Sequence, residues 1–253
     1  MNIDIKQLEE SMLQQLLKAG NMDEVINNTR WQKYINTSLT TLGIATATQR
    51  QIAKTGYPQM QDLTMDVKIE ILGKIFKESK LFEIKNQCLY FLDQHKQKKL
   101  GIEYWPLIKE WVKYVDNWAH SDGLSSVYTV VLQHHLDIIY PQLKAWNTSK
   151  NVWERRQSVV CLFYYSRTRK NFLSFDDSIA LIENLLHDKE YYVQKGIGWA
   201  LREASNVYYD YTLDFIMQHI KEIKPAAYSA AIEKLQANHL EQVKVLRKKK
   251  STF

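Results

Sequence analysis

Three stretches of this 253-residue chain carry side chains with chemistry to offer. In "DNWAHSDGLSSVY" a tryptophan, Trp118, stands four residues before an aspartate, Asp122. That spacing raises the question of what the two side chains are for. The same residues have a structural use. Ser121 or Asp122 would cap the helix "LSSVYTVVLQHHLDIIY" by accepting its first N–H groups, while Trp105, Trp111 and Trp118 would pack between helices. In "NVWERRQSVV" Arg155 and Arg156 are adjacent at the start of a helix whose remaining face is apolar, so one of them must point near the core-lining surface. It snorkels to water, pairs with a carboxylate such as Glu154, or clamps a phosphate, for which the guanidinium fork is well shaped. In "VQKGIGWALREAS" Gly196 and Gly198 lie inside a helix, each costing about 1 kcal/mol relative to Ala. Close helix packing offsets that cost, and so does the approach of a ligand backbone with Trp199 offering its indole face. "QHHLD" supplies His134, His135 and Asp137, but adjacent histidines point to different helix faces and no companion set has zinc-site spacing. The chain has no phosphate-binding glycine loop, no Gly-x-Ser-x-Gly elbow and no Cys-x-x-Cys pair.

The elements that must position these residues repeat along the chain. "SKLFEIKNQCLYFL" from Ser79, "SKNVWERRQSVVCLF" from Ser149 and "DKEYYVQKGIGWAL" from Asp188 each begin with a capping residue and Lys, pass a short turn and enter an apolar helix. Ser149 and Asp188 are 39 positions apart and Ser79 and Ser149 are 70 apart, about two such periods. That spacing suits helix-pair repeats of the HEAT type, whose period is roughly 40. The segments between supply partner helices. "MDVKIEILGKIFKES" puts Val67, Ile69, Ile71, Leu72, Ile75 and Phe76 on one broad apolar face, and "FDDSIALIENLLH" does so with Ile179, Leu181, Ile182, Leu185 and Leu186. Pro106 suits the first turn of a helix, and Pro141 and Pro225 are expected at later turns. The expected architecture is all-α, a solenoid or superhelix of HEAT-like helix pairs whose second helices form a concave face.

Composition agrees. The chain is 45% hydrophobic and 25% charged, enough apolar material for a substantial core, and its 4 Pro and 8 Gly leave few sheet-making turns. Cys88 and Cys161 both lie in apolar runs, where a buried reduced thiol is expected, which points to a reducing compartment. No apolar run approaches the roughly 18 residues of a membrane span, and "MNIDIKQLEESMLQQ" lacks a signal-peptide core, so no membrane and a cytoplasmic protein are expected. Net charge is +6, but Lys244, Arg247, Lys248, Lys249 and Lys250 supply five of those charges, leaving about +1 for the body. A nucleic-acid partner must therefore be argued from where body charges lie. One repeat domain over 1–242 is expected, followed by a solvated, frayed basic tail at 243–253.

Taken together the segments resemble the AlkD-like DNA alkylation repair enzymes, DNA glycosylases built of HEAT-like repeats. "NTRWQKYINTSLTTLGIATATQRQIAK" looks like the family's amino-terminal segment, "NWAHSDGLS" its Trp-x-x-x-Asp segment, "VWERRQSVV" its Trp-x-x-Arg helix, and "YYVQKGIGWALRE" its Gln-Lys-x-Ile-Gly-Trp-x-Leu-Arg-Glu helix. The likeness covers roughly residues 25 to 205. The family's catalytic segment often reads with paired tryptophans and an added acidic residue, whereas here Asn117 precedes Trp118, and Ala119 and His120 follow.

The resemblance implies that Asp122 is the catalytic carboxylate, that Trp118 and Trp199 are aromatic walls, and that Arg156 is the basic residue beside them. Tyr34 falls where the family places a DNA-facing aromatic, and Arg50, Arg155 and Lys195 are expected to face the DNA backbone. It further implies hydrolysis of the N-glycosidic bond of cationic N3- and N7-alkylpurines such as 3-methyladenine and 7-methylguanine. The expected agents are a monomer, water and double-stranded alkylated DNA, with neither metal nor organic cofactor. The lesion stays largely within the duplex in this family. Two further classes are a non-catalytic helical-repeat module for branched or distorted DNA, and a protein-binding scaffold.

Overall fold

The computed structural model describes residues 4–20, 29–96 and 100–248, and these form helices joined by short turns. Lys249 and Lys250 lie outside the described residues. Among the described residues no strand forms beyond an isolated bridge between Thr40 and Leu81, and no helix is long and apolar enough to cross a membrane. The chain divides into two compact units, Met1–Val131 and Leu132–Phe253.

The first unit opens with α1 (Ile5–Ala19), capped by Asp4 and burying Leu8, Met12 and Leu16. Next come α2 (Thr29–Ile35), α3 (Thr46–Thr55), α4 (Met65–Glu78) and α5 (Phe82–His95). The expected apolar face of α4 is buried at Ile69, Ile71, Leu72, Ile75 and Phe76, with Val67 partly exposed. Helices α1, α3 and α4 all pack on α5. Surrounded in this way, α5 buries polar residues as well as apolar ones, and each must find a partner. The Glu83 carboxylate accepts the backbone N–H groups of Leu42 and Gly43, both at 2.9 Å. Lys85 donates to the Tyr114 carbonyl at 3.0 Å, and Asn86 and Gln87 donate to Gln49. After α6 (Trp105–Ile108), whose first turn holds Pro106, a 3-10 stretch at Lys109–Tyr114 leads to α7 (Trp118–His134).

The second unit contains α8 (Leu136–Asn147), α9 (Val152–Phe163), α10 (Phe175–Glu183), α11 (Tyr191–Ala204), α12 (Tyr209–Gln218), α13 (Pro225–Ala231) and α14 (Ala237–Lys248). Helix α11 packs against both α9 and α13, while α8 and α10 lie on α9 and α12 lies on α11, the layout of stacked helix pairs. The repeat read from the sequence has a local cause. Ser79 Oγ accepts the N–H of Leu81, Ser149 Oγ that of Asn151, and Asp188 Oδ1 that of Glu190. In each case the helix begins three residues after the acceptor, at Phe82, Val152 and Tyr191. One turn device therefore launches all three helices in the same register.

Four local expectations are corrected. The Ser-Asp-Gly turn is helical: α7 starts at Trp118, and Asn117 performs the capping, its Oδ1 accepting the His120 N–H at 2.9 Å. Gly123 is spent on packing, since a Cβ there would lie 3.0 Å from Leu89 Cδ1 on α5. The long helix expected after Gly123 breaks at His135, which leaves helical geometry with φ −142° and ψ 51°. Pro141 lies inside α8 rather than at a turn, so that helix forgoes one backbone hydrogen bond. Finally, the basic tail is anchored as far as it is described: Arg247 donates to the carbonyls of Ile220 and Ile223, both at 3.0 Å, and its guanidinium carbon lies 3.9 Å from the Tyr228 ring centre.

Candidate active site

In the first unit, Trp118 and Asp122 are one helical turn apart and so share a side of α7. Asp122 is partly exposed. Trp118 rests on the buried cluster of Ile35, Leu39 and Phe82, and its indole Nε1 donates to the Tyr34 carbonyl at 3.4 Å. The Tyr34 ring meets Trp118 edge-on, 5.6 Å between centres, and stacks on Trp31 at 5.3 Å. Tyr34 is 63% exposed and Trp31 41%. The structure thus brings Trp118 and Tyr34 into contact, with Asp122 one turn along α7 from Trp118. Arg50 sits on α3, its side chain 56% exposed, 3.7 Å from Asp93 and 4.9 Å from the Tyr90 ring centre.

What holds α2 against α7 is a carboxylate absent from the sequence reading. Asp116 accepts from Thr37 Oγ1, the Ser38 N–H, Ser38 Oγ and Asn117 Nδ2, at 2.7 to 2.9 Å. Burial works to raise its pKa, but the donors from Asn117, Ser38 and Thr37 hold it below the usual carboxylate value. A Thr-Ser pair and a distant Asp-Asn pair have no local signal of pairing, because 78 or 79 residues separate them. Beneath Trp118 lies His120, fully buried and stacked on Phe82 at 4.5 Å. Asn117 Oδ1 already accepts a backbone N–H, so its amide nitrogen donates to His120 Nδ1 at 2.9 Å, and Nε2 donates to the Phe82 carbonyl at 3.2 Å. Burial, with Lys85 nearby, pushes the ring's pKa down to about 3, and His120 is neutral. Two of the departures from the family's pattern, Asn117 and His120, therefore build the frame under Trp118.

In the second unit, Tyr192, Lys195, Trp199 and Arg202 recur every three or four residues and form the partly exposed stripe of α11. Tyr192 stacks on Trp153 of α9 at 5.3 Å, and Trp199 stacks on Tyr164 at 5.1 Å. The Arg202 guanidinium carbon lies 5.5 Å from the Trp199 ring centre, with Glu203 at 3.0 Å and Glu233 at 3.3 Å from its nitrogens. Arg156 is buried under this stripe, 5% exposed, and its Nη1 donates to the Tyr192 carbonyl at 2.8 Å. Arg155 does not pair with Glu154, which accepts from Ser149 Oγ. It reaches Asp188, Nε to Oδ2 at 2.6 Å, and also donates to the carbonyls of Ser149 and Lys150. That pair ties the starts of two successive repeats together.

The glycines of α11 answer to helix packing. A Cβ at Gly196 would lie 3.2 Å from both Arg156 Cγ and Val160 Cγ2, and one at Gly198 only 2.2 Å from the Ala227 carbonyl oxygen of α13. The Trp153–Tyr192 stack was missed in the sequence, yet a signal for it existed. Both residues stand four positions after their turn acceptors, Ser149 and Asp188, so the repeat register places them side by side.

The profile of the DNA alkylation repair enzyme family matches residues 13–235. No curated protein matches the sequence. Among solved structures, a predicted DNA alkylation repair enzyme from Enterococcus faecalis superposes with a TM-score of 0.72 at 16% identity, over 86% of this chain and 97% of that one. AlkD2 from Streptococcus mutans gives 0.51 at 17% identity, over 92% and 100% of the two chains. The smu.31 protein of Streptococcus mutans UA159 gives 0.50 at 17% identity, over 89% and 98%. At these identities the three structures establish a shared helical-repeat fold. With most of its length matched by one family's profile, the chain belongs to the DNA alkylation repair enzyme family.

Proposed function

We propose that the chain is a DNA glycosylase that hydrolyses the N-glycosidic bond of positively charged N3- and N7-alkylpurines in duplex DNA. The observation that carries this reading is the partly exposed Asp122 one turn from Trp118 on the same side of α7, in a chain of this family. A purine alkylated at N3 or N7 is already cationic, so it departs neutral with the bonding electron pair and needs no general acid. The sugar left behind has oxocarbenium character. Asp122 stabilises that cation and orients the attacking water, whose oxygen bonds to C1′ while its proton passes to the carboxylate or to solvent. Trp118 adds cation–π attraction on the order of 0.5 to 2 kcal/mol, and Trp199 is assigned as an aromatic DNA contact of the second unit.

Lys195 and Arg50 supply positive charge for phosphates and Tyr34 lies against the DNA, while Arg156, buried with its Nη1 on the Tyr192 carbonyl, supports the α11 stripe from beneath. Arg155, engaged by Asp188 and two carbonyls, is assigned to holding the repeats rather than to a phosphate. The chemistry calls on water alone, and the lesion is approached from the backbone side rather than by full extrusion. We assign the enzyme as a cytoplasmic monomer.

The test is release of 3-methyladenine and 7-methylguanine from methylated duplex DNA without heating. Asp122→Asn should lower excision by at least about 100-fold, the scale of losing one charge-stabilising group, with folding and DNA affinity nearly unchanged. Normal excision by Asp122→Asn would refute the role of that carboxylate. Tight binding without release by the native protein would make the chain a non-catalytic DNA-binding module.

A further inference from the structure

Helix α2 has seven residues, too few to be stable alone, yet three separate devices pin it. Gln32 Nε2 donates to the Leu39 carbonyl at 2.7 Å, Ile35 and Leu39 are buried with Phe82, and the Asp116 carboxylate binds Thr37 and Ser38 just beyond its end. The side of α2 that faces solvent then carries Arg30, Trp31, Lys33 and Tyr34, all exposed, and "TRWQKYI" contains no acidic residue. Neither Arg30 nor Lys33 has an ion pair among the described residues. Two large aromatic rings left in water are unfavourable unless something covers them. Here they are arranged in order: Trp31 stacks on Tyr34, and Tyr34 meets Trp118 edge-on.

We propose that Trp31 and Tyr34 form a stacking platform for an unpaired nucleobase, with Arg30 and Lys33 holding phosphates of the strand that carries it. The proposal rests on reading the chain as a DNA-binding protein, but not on the chemistry assigned to Asp122. Alternating cationic and aromatic side chains match a single strand, which presents phosphates and π-faces together. A paired duplex offers phosphates and base edges, but its base faces are covered by neighbouring pairs. The platform therefore selects a base that has left the stack, whether in a bulge, opposite a damaged site or in a single strand. Tyr34 alone would give one ring; Trp31 extends it, and the rigid anchorage of α2 keeps both rings in place before the strand arrives.

The experiment uses undamaged DNA and the full-length protein. Affinity is measured by fluorescence anisotropy for a fully paired duplex and for the same duplex with one bulged 2-aminopurine nucleotide. The native protein should prefer the bulged duplex and quench the 2-aminopurine. Trp31→Ala should lose about 5- to 100-fold in affinity for the bulged duplex and less than about two-fold for the paired one, with quenching abolished. Trp31→Phe should stay within about three-fold of native, and the thermal melt of Trp31→Ala should match native because the residue is exposed. Equal native affinity for the two duplexes, absence of quenching, or equal loss on both duplexes in Trp31→Ala overturns the proposal. So does sedimentation showing a dimer that Trp31→Ala dissociates, which would assign this face to a second copy. Asp122→Asn should keep the bulge preference, so failure of the glycosylase reading and failure of this one give different results.

Discussion

Replacing Asp116 with alanine should detach α2 without unfolding the rest of the first unit. The carboxylate accepts from Thr37 Oγ1, the Ser38 N–H, Ser38 Oγ and Asn117 Nδ2, all within 2.9 Å. Hydrogen bonds to an ionised group contribute about 1.5 to 3 kcal/mol each, but these share one partly exposed carboxylate, and water can replace it at Ser38. The sum is therefore discounted to about 2 to 3 kcal/mol. Most of that loss should fall locally, because Asp116 joins one short helix to the α7 cap. Hydrogen exchange should accelerate at residues 29–39 by roughly 30- to 150-fold, while amides of α5 keep their protection. The contribution also depends on pH. With its folded pKa held below the ordinary 3.8, the Asp116 carboxylate contributes stability that is complete above that value and lost as pH falls through the folded one. Exchange at residues 29–39 in the native protein should thus rise steeply only in strong acid. Unchanged exchange at residues 29–39 in Asp116→Ala, or a loss spread evenly over α3, α4 and α5, would refute the bracket.

Two other perturbations test the packing beneath the candidate site. Gly198→Ala would normally gain about 1 kcal/mol of helix propensity, but its Cβ would lie 2.2 Å from the Ala227 carbonyl oxygen, so α11 and α13 must separate. A net loss of about 2 to 4 kcal/mol in urea unfolding is expected, and a gain in stability would contradict the close approach. His120 predicts acid sensitivity: its pKa falls from 6.5 to about 3 on burial, so the unfolded chain takes up the proton first. Stability carried by the neutral ring is complete above pH 6.5 and declines by about 1.4 kcal/mol for each pH unit down to about 3. Glu83, whose pKa burial raises, opposes that trend at the acid end. Plotted against pH between 6.5 and 5, the stability of His120→Gln should be nearly flat where the native protein slopes; parallel curves would count against the buried neutral ring.

The helical repeat was legible because its cause is local: Ser79, Ser149 and Asp188 each act within two residues, and the apolar faces of α4 and α10 follow helical spacing. Polarity is a poor guide wherever a helix is enclosed. In α5, Glu83, Lys85, Asn86 and Gln87 are polar or charged, yet all are buried, each satisfied by a partner far along the chain. The same non-locality sends Arg155 to Asp188 although Glu154 is adjacent.

Around Asp122 the question was which residue caps the helix. Ser121 or Asp122 is the cap expected from the sequence, yet Asn117 is equally capable, and propensity alone cannot choose among them. The choice falls to Asn117 because its amide does two things: Oδ1 caps the His120 N–H, and Nδ2 reaches Asp116 and the His120 ring. Moving the helix start back to Trp118 converts a Trp-x-x-x-Asp spacing, meaningless in a turn, into two side chains on one side of a helix. Asn117 and His120, which depart from the family's pattern, are thus part of the reason Trp118 and Asp122 share that side, with Asp122 left partly exposed, as the proposed reaction requires.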